Sequence, residues 1–281
     1  MLSYRHAFHA GNHADLLKHL VLVELLNYFR RKEKPFHYID THAGAGLYLL
    51  DQGYATQNAE YVEGVGRLWS QEKLPGPLAD FREKLRACNP GPELTRYPGS
   101  PWLAAQLLRP NDRMWLFELH PRDQELLRAT FSTAGKQVRI EGHDGFSGLK
   151  GLLPPPTRRA LVLIDPPYEE KCDYDRVVQL LVDAVKRFAA GTYALWYPQL
   201  QRTEAQALPA RLKALGLQSW LHVTLTVQQP STDGFGMHGS GLFIVNPPYT
   251  LPETLASILP TLVELLGQDA GAGYSLEFSI P

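Results

Sequence analysis

Short apolar segments alternate with helical patterns along most of the second half of the chain, and this alternation constrains the fold most. The predicted strands lie at 114–119, 138–142, 160–165, 192–198 and 219–227, and the predicted helices at 101–109, 121–133, 146–152, 174–189 and 203–215. The segments at 114–117 and 160–164 are almost wholly apolar, which is typical of parallel strands covered by helices on both faces. The pattern therefore predicts an α/β fold with a mainly parallel sheet.

The last two predicted strands, 219–227 and 239–246, are joined by only about a dozen residues. Such a connection is too short for a helical crossover, so these strands are expected to pair antiparallel. A parallel sheet that ends in one reversed strand matches the layout of class I methyltransferases. We therefore predict a Rossmann-like methyltransferase domain with seven strands, one of them reversed.

Residues 47–97 interrupt the alternation. Helical stretches near 61–69 and 81–88 are separated by the Pro/Gly-rich sequence LPGPLAD and followed by NPGPE. Before this segment come an amphipathic helix at 12–32, which Asn12 can cap, and a short strand at 36–40. We predict a methyltransferase domain formed by residues 1–46 and 98–281, with an inserted helical subdomain at 47–97.

The composition limits the partners that the protein can have. The 281 residues carry a net charge of −1, so any contact with nucleic acid must come from a local basic patch. Cys88 and Cys172 lack metal-ligand spacing and favour a reducing compartment. No apolar run is long enough for a bilayer, and the first residues lack a signal-peptide core. These features predict a cytoplasmic protein without a membrane partner or a metal.

The sequence Asp165-Pro166-Pro167-Tyr168 directly follows the apolar strand at 160–164. The lone pair of an exocyclic amine is delocalised, and methylation requires acceptors that hold the amine so that this lone pair faces the donor. Asp165 and the Pro166 carbonyl can accept the two N–H bonds, and the two prolines fix the backbone beforehand. Tyr168 can stack on a flipped base. The tetrad thus predicts an amine methyltransferase, although a simple Pro-Pro turn that ends a strand is the alternative.

A second tetrad, Asn246-Pro247-Pro248-Tyr249, follows the strand at 239–246. Ligands of open α/β sheets bind at the carboxyl ends of the parallel strands. A reversed strand ends at the opposite edge, so we expect Asp165 to be the functional tetrad and Asn246 to begin a rigid turn.

Small residues at 41–46 (THAGAG) follow the strand at 36–40, and acidic residues end the next two strands. Glycines such as Gly44 let the backbone approach a cofactor. Glu118 is predicted to hold ribose hydroxyls, and Asp144 to accept an adenine amine, with Gly145 beside it. The alternatives are an ordinary tight turn for the glycine loop, a surface carboxylate for Glu118 and an Asx turn for Asp144.

Aromatic and basic residues are interleaved near the N-terminus, a pattern that suits stacking on bases and contact with phosphates. They are Tyr4, Arg5, His6, His9, His13, Lys18 and His19. Two other interpretations are a zinc site, whose standard ligand spacing is missing, and a plain helix start with exposed histidines.

Several motifs together resemble the bacterial RlmJ family, which methylates adenine N6 in 23S rRNA. They are MLSYRHAFHAGNHADLLKH, DTHAGAG, YPGSP, ELHP, DGF, LVLIDPPY, ALWYP and NPPY. The resemblance covers nearly the whole chain. It implies a monomer that uses S-adenosylmethionine and modifies a single adenine, adenine 2030.

The resemblance also implies residue roles by position. Cofactor contacts would be His19, His42, Ser100, Glu118, Asp144, Gly145 and Asp165, with Lys18 as a further site residue. Asp165 would be the catalytic acceptor, and Tyr4 would contact the RNA with His6 nearby.

Two other functions are compatible with the sequence. An amine methyltransferase of this type could act on DNA adenine or on a protein glutamine, but no large target-recognition domain is evident. A non-catalytic RNA-binding protein could use the same fold, but the intact glycine loop and Asp165 tetrad favour an enzyme.

Overall fold

A long buried helix follows a single 3-10 turn, His6–Phe8, in this computed structural model, which describes residues 5–281. Helix α1 (His13–Arg30) starts where Asn12 Oδ1 accepts the backbone N–H groups of Ala14 and Asp15, each at 3.0 Å. This cap satisfies donors that the first turn of a helix leaves unpaired. Most α1 side chains are buried. The predicted helix and its Asn12 cap are therefore confirmed.

Strands and helices alternate after α1. The strands are β1 (His37–Asp40), β2 (Leu47–Leu49), β3 (Arg96–Pro98), β4 (Arg113–Phe117), β5 (Val138–Glu141), β6 (Ala160–Ile164), β7 (Thr192–Gln199), β8 (Trp220–Thr226), β9 (Gly239–Val245) and β10 (Gly273–Ser279). The further helices are α2 (Ala55–Asn58), α3 (Val65–Trp69), α4 (Gly76–Arg86), α5 (Ser100–Leu107), α6 (Pro121–Thr130), α7 (Gly145–Leu152), α8 (Cys172–Arg187), α9 (Thr203–Lys213) and α10 (Leu251–Leu266). Along the described residues, no helix is both long and apolar enough to cross a membrane.

The main sheet has the strand order β10-β8-β9-β7-β6-β1-β4-β5. Strands β5, β4, β1, β6 and β7 pair in parallel, whereas β9 pairs antiparallel with both β7 and β8. The predicted α/β class, the mainly parallel sheet and the reversed strand β9 are confirmed. Because the parallel strands share one direction, β1, β4, β5 and β6 all end at the same edge of the sheet.

As formed by residues 5–281, the sheet contains one strand more than the seven predicted, and two of its strands, β9 and β10, are reversed. Strand β10 pairs antiparallel with β8 and forms an edge of the sheet. Its residues are mostly exposed or half-buried, so its sequence lacks the apolar signal of the central strands. The apolar helix α10, which packs against β10 and β8, was also not predicted.

The segment between β2 and β3 contains the two predicted helical stretches, now bounded as α3 and α4. Strands β2 and β3 pair antiparallel and close the segment at its base. Leu78, Phe81 and Leu85 of α4 are fully buried and belong to the same apolar cluster as α1. Whether residues 47–97 form a subdomain apart from 1–46 and 98–281 stays a prediction.

Candidate active site

A cavity opens at the sheet edge where β1, β4, β5 and β6 end, and it brings together most of the predicted site residues. The predicted residues that line it are His6, Lys18, His19, His42, Gly44, Ser100, Glu118, Asp144, Gly145, Asp165, Pro166 and Pro167. They come from a short turn before α1, the first half of α1, the loop after β1, the start of α5 and the ends of three parallel strands. Such an edge is where open α/β sheets bind ligands.

Asp165 follows the last residue of β6 and is held by a buried lysine. Lys18 Nζ lies 2.6 Å from Asp165 Oδ2 and 2.9 Å from Asp15 Oδ1. Burial alone would lower the pKa of Lys18, but the two carboxylates raise it above its usual value. Lys18 therefore stays charged and fixes the orientation of the Asp165 carboxylate.

Asp15 links this ion pair to the segment before α1, and sequence reasoning missed it. Its carboxylate accepts the Gly11 N–H and contacts His6 Nε2, each at 2.9 Å. Burial alone would raise the pKa of Asp15, but His6 and Lys18 lower it well below its usual value. The only sequence signal for this role is its position three residues before Lys18 on one helix face.

The glycine loop and Glu118 meet at the end of β4. Gly44 adopts a positive φ of 63° and donates its N–H to Glu118 Oε2 at 2.8 Å. Burial raises the pKa of Glu118. At Gly145, a Cβ would lie 2.0 Å from the Thr41 carbonyl oxygen, so only glycine permits this close approach. The backbone around the cavity is thus shaped by residues that lack side chains.

Ser100, which only the family resemblance indicated, lies beside a buried carboxyl group at the end of β1. Asp40 Oδ2 accepts hydrogen bonds from Ser100 Oγ at 2.7 Å and from Tyr38 OH at 2.8 Å. Burial raises the pKa of Asp40 to about 6. These bonds explain how Ser100 is held at the cavity wall, and sequence reasoning did not identify Asp40.

Asp144 caps helix α7 and also pairs with an arginine. Its side chain accepts the Phe146 N–H at 3.2 Å and an Arg176 N–H at 3.0 Å. The neighbouring His42 ring packs edge-on against Phe146, and burial lowers the pKa of His42 to about 3. His42 is therefore neutral, and Asp144 presents a carboxylate to the cavity.

Tyr168 does not face the cavity, contrary to the prediction that it stacks on a base. Only 2 % of its surface is exposed, and its hydroxyl donates to the Trp196 carbonyl at 2.7 Å. Its ring packs against Tyr174 at a centroid distance of 4.7 Å. Tyr168 is thus buried in the core, where it supports the turn that follows β6. Tyr4, the predicted RNA contact, lies outside the described residues.

The second tetrad begins at the opposite edge of the sheet, as predicted from the reversed direction of β9. Asn246 has a positive φ of 51° and donates from Nδ2 to the carbonyls of Ala189 and Gly191, each at 2.7 Å. The Thr192 hydroxyl donates back to the Asn246 carbonyl at 2.9 Å. Asn246 therefore ties the end of β9 to the loop before β7.

Replacement of Asn246 by alanine is expected to leave methyl transfer unchanged while it destabilises the fold. The loss of two hydrogen bonds to backbone carbonyls should lower the free energy of unfolding by roughly 1–3 kcal/mol. Urea denaturation and a single-turnover assay measure the two effects separately. A folded Asn246→Ala protein without activity would contradict the assignment of this tetrad to a structural turn.

Two histidines of α1 are neutral because they are buried. Burial lowers the pKa of His13 to about 4 and that of His19 to about 3, and His19 Nδ1 lies 2.8 Å from Tyr97 OH. In the unfolded chain both rings take up a proton near pH 6.5. The folded protein is therefore fully stable only above this pH and loses stability as the pH falls.

We expect the fall from about pH 6.5 to about pH 5.5 to cost roughly 1 kcal/mol of unfolding free energy for each of these histidines. Urea titrations at several pH values measure the slope. His19→Gln should reduce the slope, because glutamine takes up no proton when the chain unfolds. An identical slope in the wild type and His19→Gln would refute the buried neutral state.

Known proteins are similar to this chain in both sequence and fold. A family model described as ribosomal RNA large subunit methyltransferase D, RlmJ, matches residues 33–280. Proteins called ribosomal RNA large subunit methyltransferase J are 46 % identical in Haemophilus influenzae, over 100 % of both chains, and in Escherichia coli, over 98 % of this chain and 97 % of the relative. A crystal structure of a Legionella pneumophila protein covers 96 % of this chain and 98 % of its own, with 34 % identity and a TM-score of 0.89.

The sheet order, the reversed strand and the cavity at the carboxyl edge define a Rossmann-like class I methyltransferase fold. A probable spermidine synthase from Corynebacterium glutamicum shares this fold alone, at 11 % identity and a TM-score of 0.51, over 94 % of this chain and 75 % of its own. The family-model match and the full-length identity show that the chain belongs to the RlmJ family. The resemblance stated from the sequence motifs is confirmed.

Proposed function

We propose that this protein transfers a methyl group from S-adenosylmethionine to the N6 amine of one adenine in 23S rRNA, adenine 2030. The observation that carries the proposal is the position of Asp165-Pro166-Pro167, which lies at the carboxyl end of β6 and lines the cavity beside the glycine loop. The two relatives named above as ribosomal RNA large subunit methyltransferases support the RNA substrate. We further propose that the enzyme acts as a monomer in the cytoplasm.

The cavity suits S-adenosylmethionine by the chemistry of its donors and acceptors. This cofactor supplies a methyl group bound to a positively charged sulfur. The carboxylates of Glu118, Asp144 and Asp165 face the cavity and favour a cation. Glu118 would hold the ribose hydroxyls, Asp144 would accept the adenine amine, and Gly145 leaves room for close backbone contact.

His19, His42, Ser100 and the Gly44 loop complete the proposed cofactor contacts. All four positions line the same cavity. The rings of His19 and His42 are neutral, so they can accept or donate hydrogen bonds without adding positive charge beside a sulfonium. Their burial therefore favours binding of a cationic cofactor.

Asp165 and the Pro166 carbonyl would hold the target amine by its two N–H bonds. These two hydrogen bonds direct the nitrogen lone pair away from the ring plane and toward the methyl donor in the cavity. The methylated nitrogen carries a positive charge until it loses a proton, and the Asp165 carboxylate is the acceptor for that proton. Lys18 keeps the carboxylate in place through its 2.6 Å contact.

Mass spectrometry of 23S rRNA fragments, incubated with the protein and S-adenosylmethionine, tests the proposal. The expected product carries one methyl group on one adenine, and fragments incubated without protein carry none. Modification of DNA or of a glutamine-containing peptide in place of RNA would reject the substrate assignment. If neither RNA, DNA nor the peptide were modified, the enzymatic function would be rejected.

A further inference from the structure

Cations are concentrated at the sheet edge opposite the candidate active site. The segments that precede β1, β4 and β6 read RRKEK at 30–34, RPNDR at 109–113 and RR at 158–159. Their cations form what we call the basic rim: Arg30, Arg31, Lys32, Lys34, Arg109, Arg113, Arg158 and Arg159. The chain as a whole has a net charge of −1, so this concentration creates a strong local field.

The three segments form one continuous surface because arginines bind across them. Arg109 donates to the Lys32 carbonyl at 2.7 Å and to the Lys34 carbonyl at 3.3 Å. Arg159 donates to the Phe29 carbonyl at 2.8 Å and also to the Lys34 carbonyl. The backbone that carries the basic rim is therefore fixed before any partner binds.

Little negative charge balances this surface. Of the two acidic residues in these segments, Asp112 is fully buried and paired with Arg109, and Glu33 remains exposed. Within residues 5–281, no ion pair is found for the exposed cations Arg31, Lys32 and Lys34, and Arg31 interacts electrostatically with the half-buried Glu24 of α1 without a direct ion pair. Like charges are also brought together, since partial burial and the nearby charge of Arg109 lower the pKa of Arg159. Such a surface favours a polyanionic partner.

The active-site cavity has the opposite character. Among the described residues, seven carboxylates line it: Glu118, Asp123, Asp144, Asp165, Glu169, Glu170 and Asp173. The lysine and the arginine in its lining, Lys18 and Arg176, are both paired with aspartates. A cavity of this charge repels phosphates, so the affinity for an RNA backbone must come largely from elsewhere on the protein.

We propose that the basic rim binds phosphates of the same RNA substrate, at nucleotides away from the target adenine. This inference rests on the proposed function. The rim lies at least one strand length from Asp165, about 16 Å for the five residues of β6. A short RNA that contains only the target nucleotide and its neighbours therefore cannot reach both surfaces. The rim gives affinity for RNA without reading its sequence.

The test compares two triple variants with the same loss of charge. The rim variant is Arg31→Gln, Lys32→Gln and Lys34→Gln, which leaves the anchoring arginines in place. The control variant is Lys73→Gln, Arg86→Gln and Lys150→Gln, at three exposed positions outside the rim and the cavity. Circular dichroism and thermal unfolding verify that both variants fold as the wild type does.

Binding to a long 23S rRNA fragment is measured at several salt concentrations. Each phosphate contact contributes roughly 0.7–0.9 to the slope of log affinity against log salt. The rim variant is expected to lose about two units of slope, and the control variant should keep the wild-type slope. In methylation assays, the rim variant should raise KM about tenfold or more for the long fragment, with kcat unchanged and with no change for a short oligonucleotide.

The outcomes separate the rim from the proposed function. Equal slopes and equal KM values for the rim and control variants would overturn the rim inference, even if the wild type methylates RNA. Loss of retention on immobilised polyglutamate with unchanged RNA binding would also overturn it and assign the rim to an acidic polypeptide. A wild type that methylates no RNA, together with a rim variant that still loses slope, would reject the proposed function alone.

Discussion

Replacement of Asp165 by alanine is expected to reduce the methylation rate by about a thousandfold or more while the fold persists. The variant loses both the acceptor that orients the amine and the group that takes up its proton, and each effect alone contributes about a hundredfold or more. Lys18 keeps Asp15 as a partner at 2.9 Å, so no buried charge is left alone. Single-turnover assays on the rRNA fragment give the rate.

Asp165→Asn provides the matched control for this prediction. The amide retains an oxygen acceptor but cannot take up the proton, so we expect a rate between those of the wild type and Asp165→Ala. Calorimetry with S-adenosylmethionine should show that both variants still bind the cofactor through Glu118 and Asp144. A rate within threefold of wild type in Asp165→Ala would show that the carboxylate has no catalytic role.

Replacement of Lys18 by methionine is expected to lower the free energy of unfolding by about 3–5 kcal/mol and to reduce activity strongly. The variant removes the cation between Asp15 and Asp165, and Asp15 is left as a buried carboxylate, with 1 % of its surface exposed. Denaturant unfolding measures the stability, and kcat on the rRNA fragment measures the activity.

The double variant Lys18→Met with Asp15→Asn separates the two effects. It removes the buried negative charge that has lost its lysine partner, so it should recover part of the lost stability. It does not restore the contact that holds Asp165, so activity should remain low. If activity returned together with stability, Lys18 would serve the fold alone, and its contact with Asp165 would have no part in catalysis.

The parts of the site that lie at strand ends could be predicted from the sequence. Glu118, Asp144 and Asp165 each follow an apolar segment, and parallel strands bring such ends to one edge. The same reasoning placed Asn246 at the opposite edge. The mainly parallel sheet followed from the spacing of the strands and helices alone.

Contacts between distant segments could not be predicted in this way. The Lys18–Asp165 ion pair joins residues 147 positions apart, and neither the Asp40–Ser100 hydrogen bond nor the burial of Tyr168 leaves a local pattern. Tyr168 belongs to a motif whose aromatic residue could stack on a base, but its ring is enclosed by Tyr174 and Trp196. Such outcomes depend on tertiary packing, which sequence periodicity does not encode. Strand β10 was missed because an exposed edge strand has a weak apolar signal.

The most direct test of the role of Asp165 is a crystal structure with adenosine and a non-reactive analogue of S-adenosylmethionine, bound as two separate ligands so that the adenosine keeps both of its N6 hydrogens. We expect the N6 nitrogen to lie about 3 Å from an Asp165 carboxylate oxygen and from the Pro166 carbonyl oxygen. The cofactor analogue should lie beside Glu118 and Asp144. An adenine bound at the Asn246 edge, or an N6 nitrogen far from Asp165, would contradict the proposed role of Asp165.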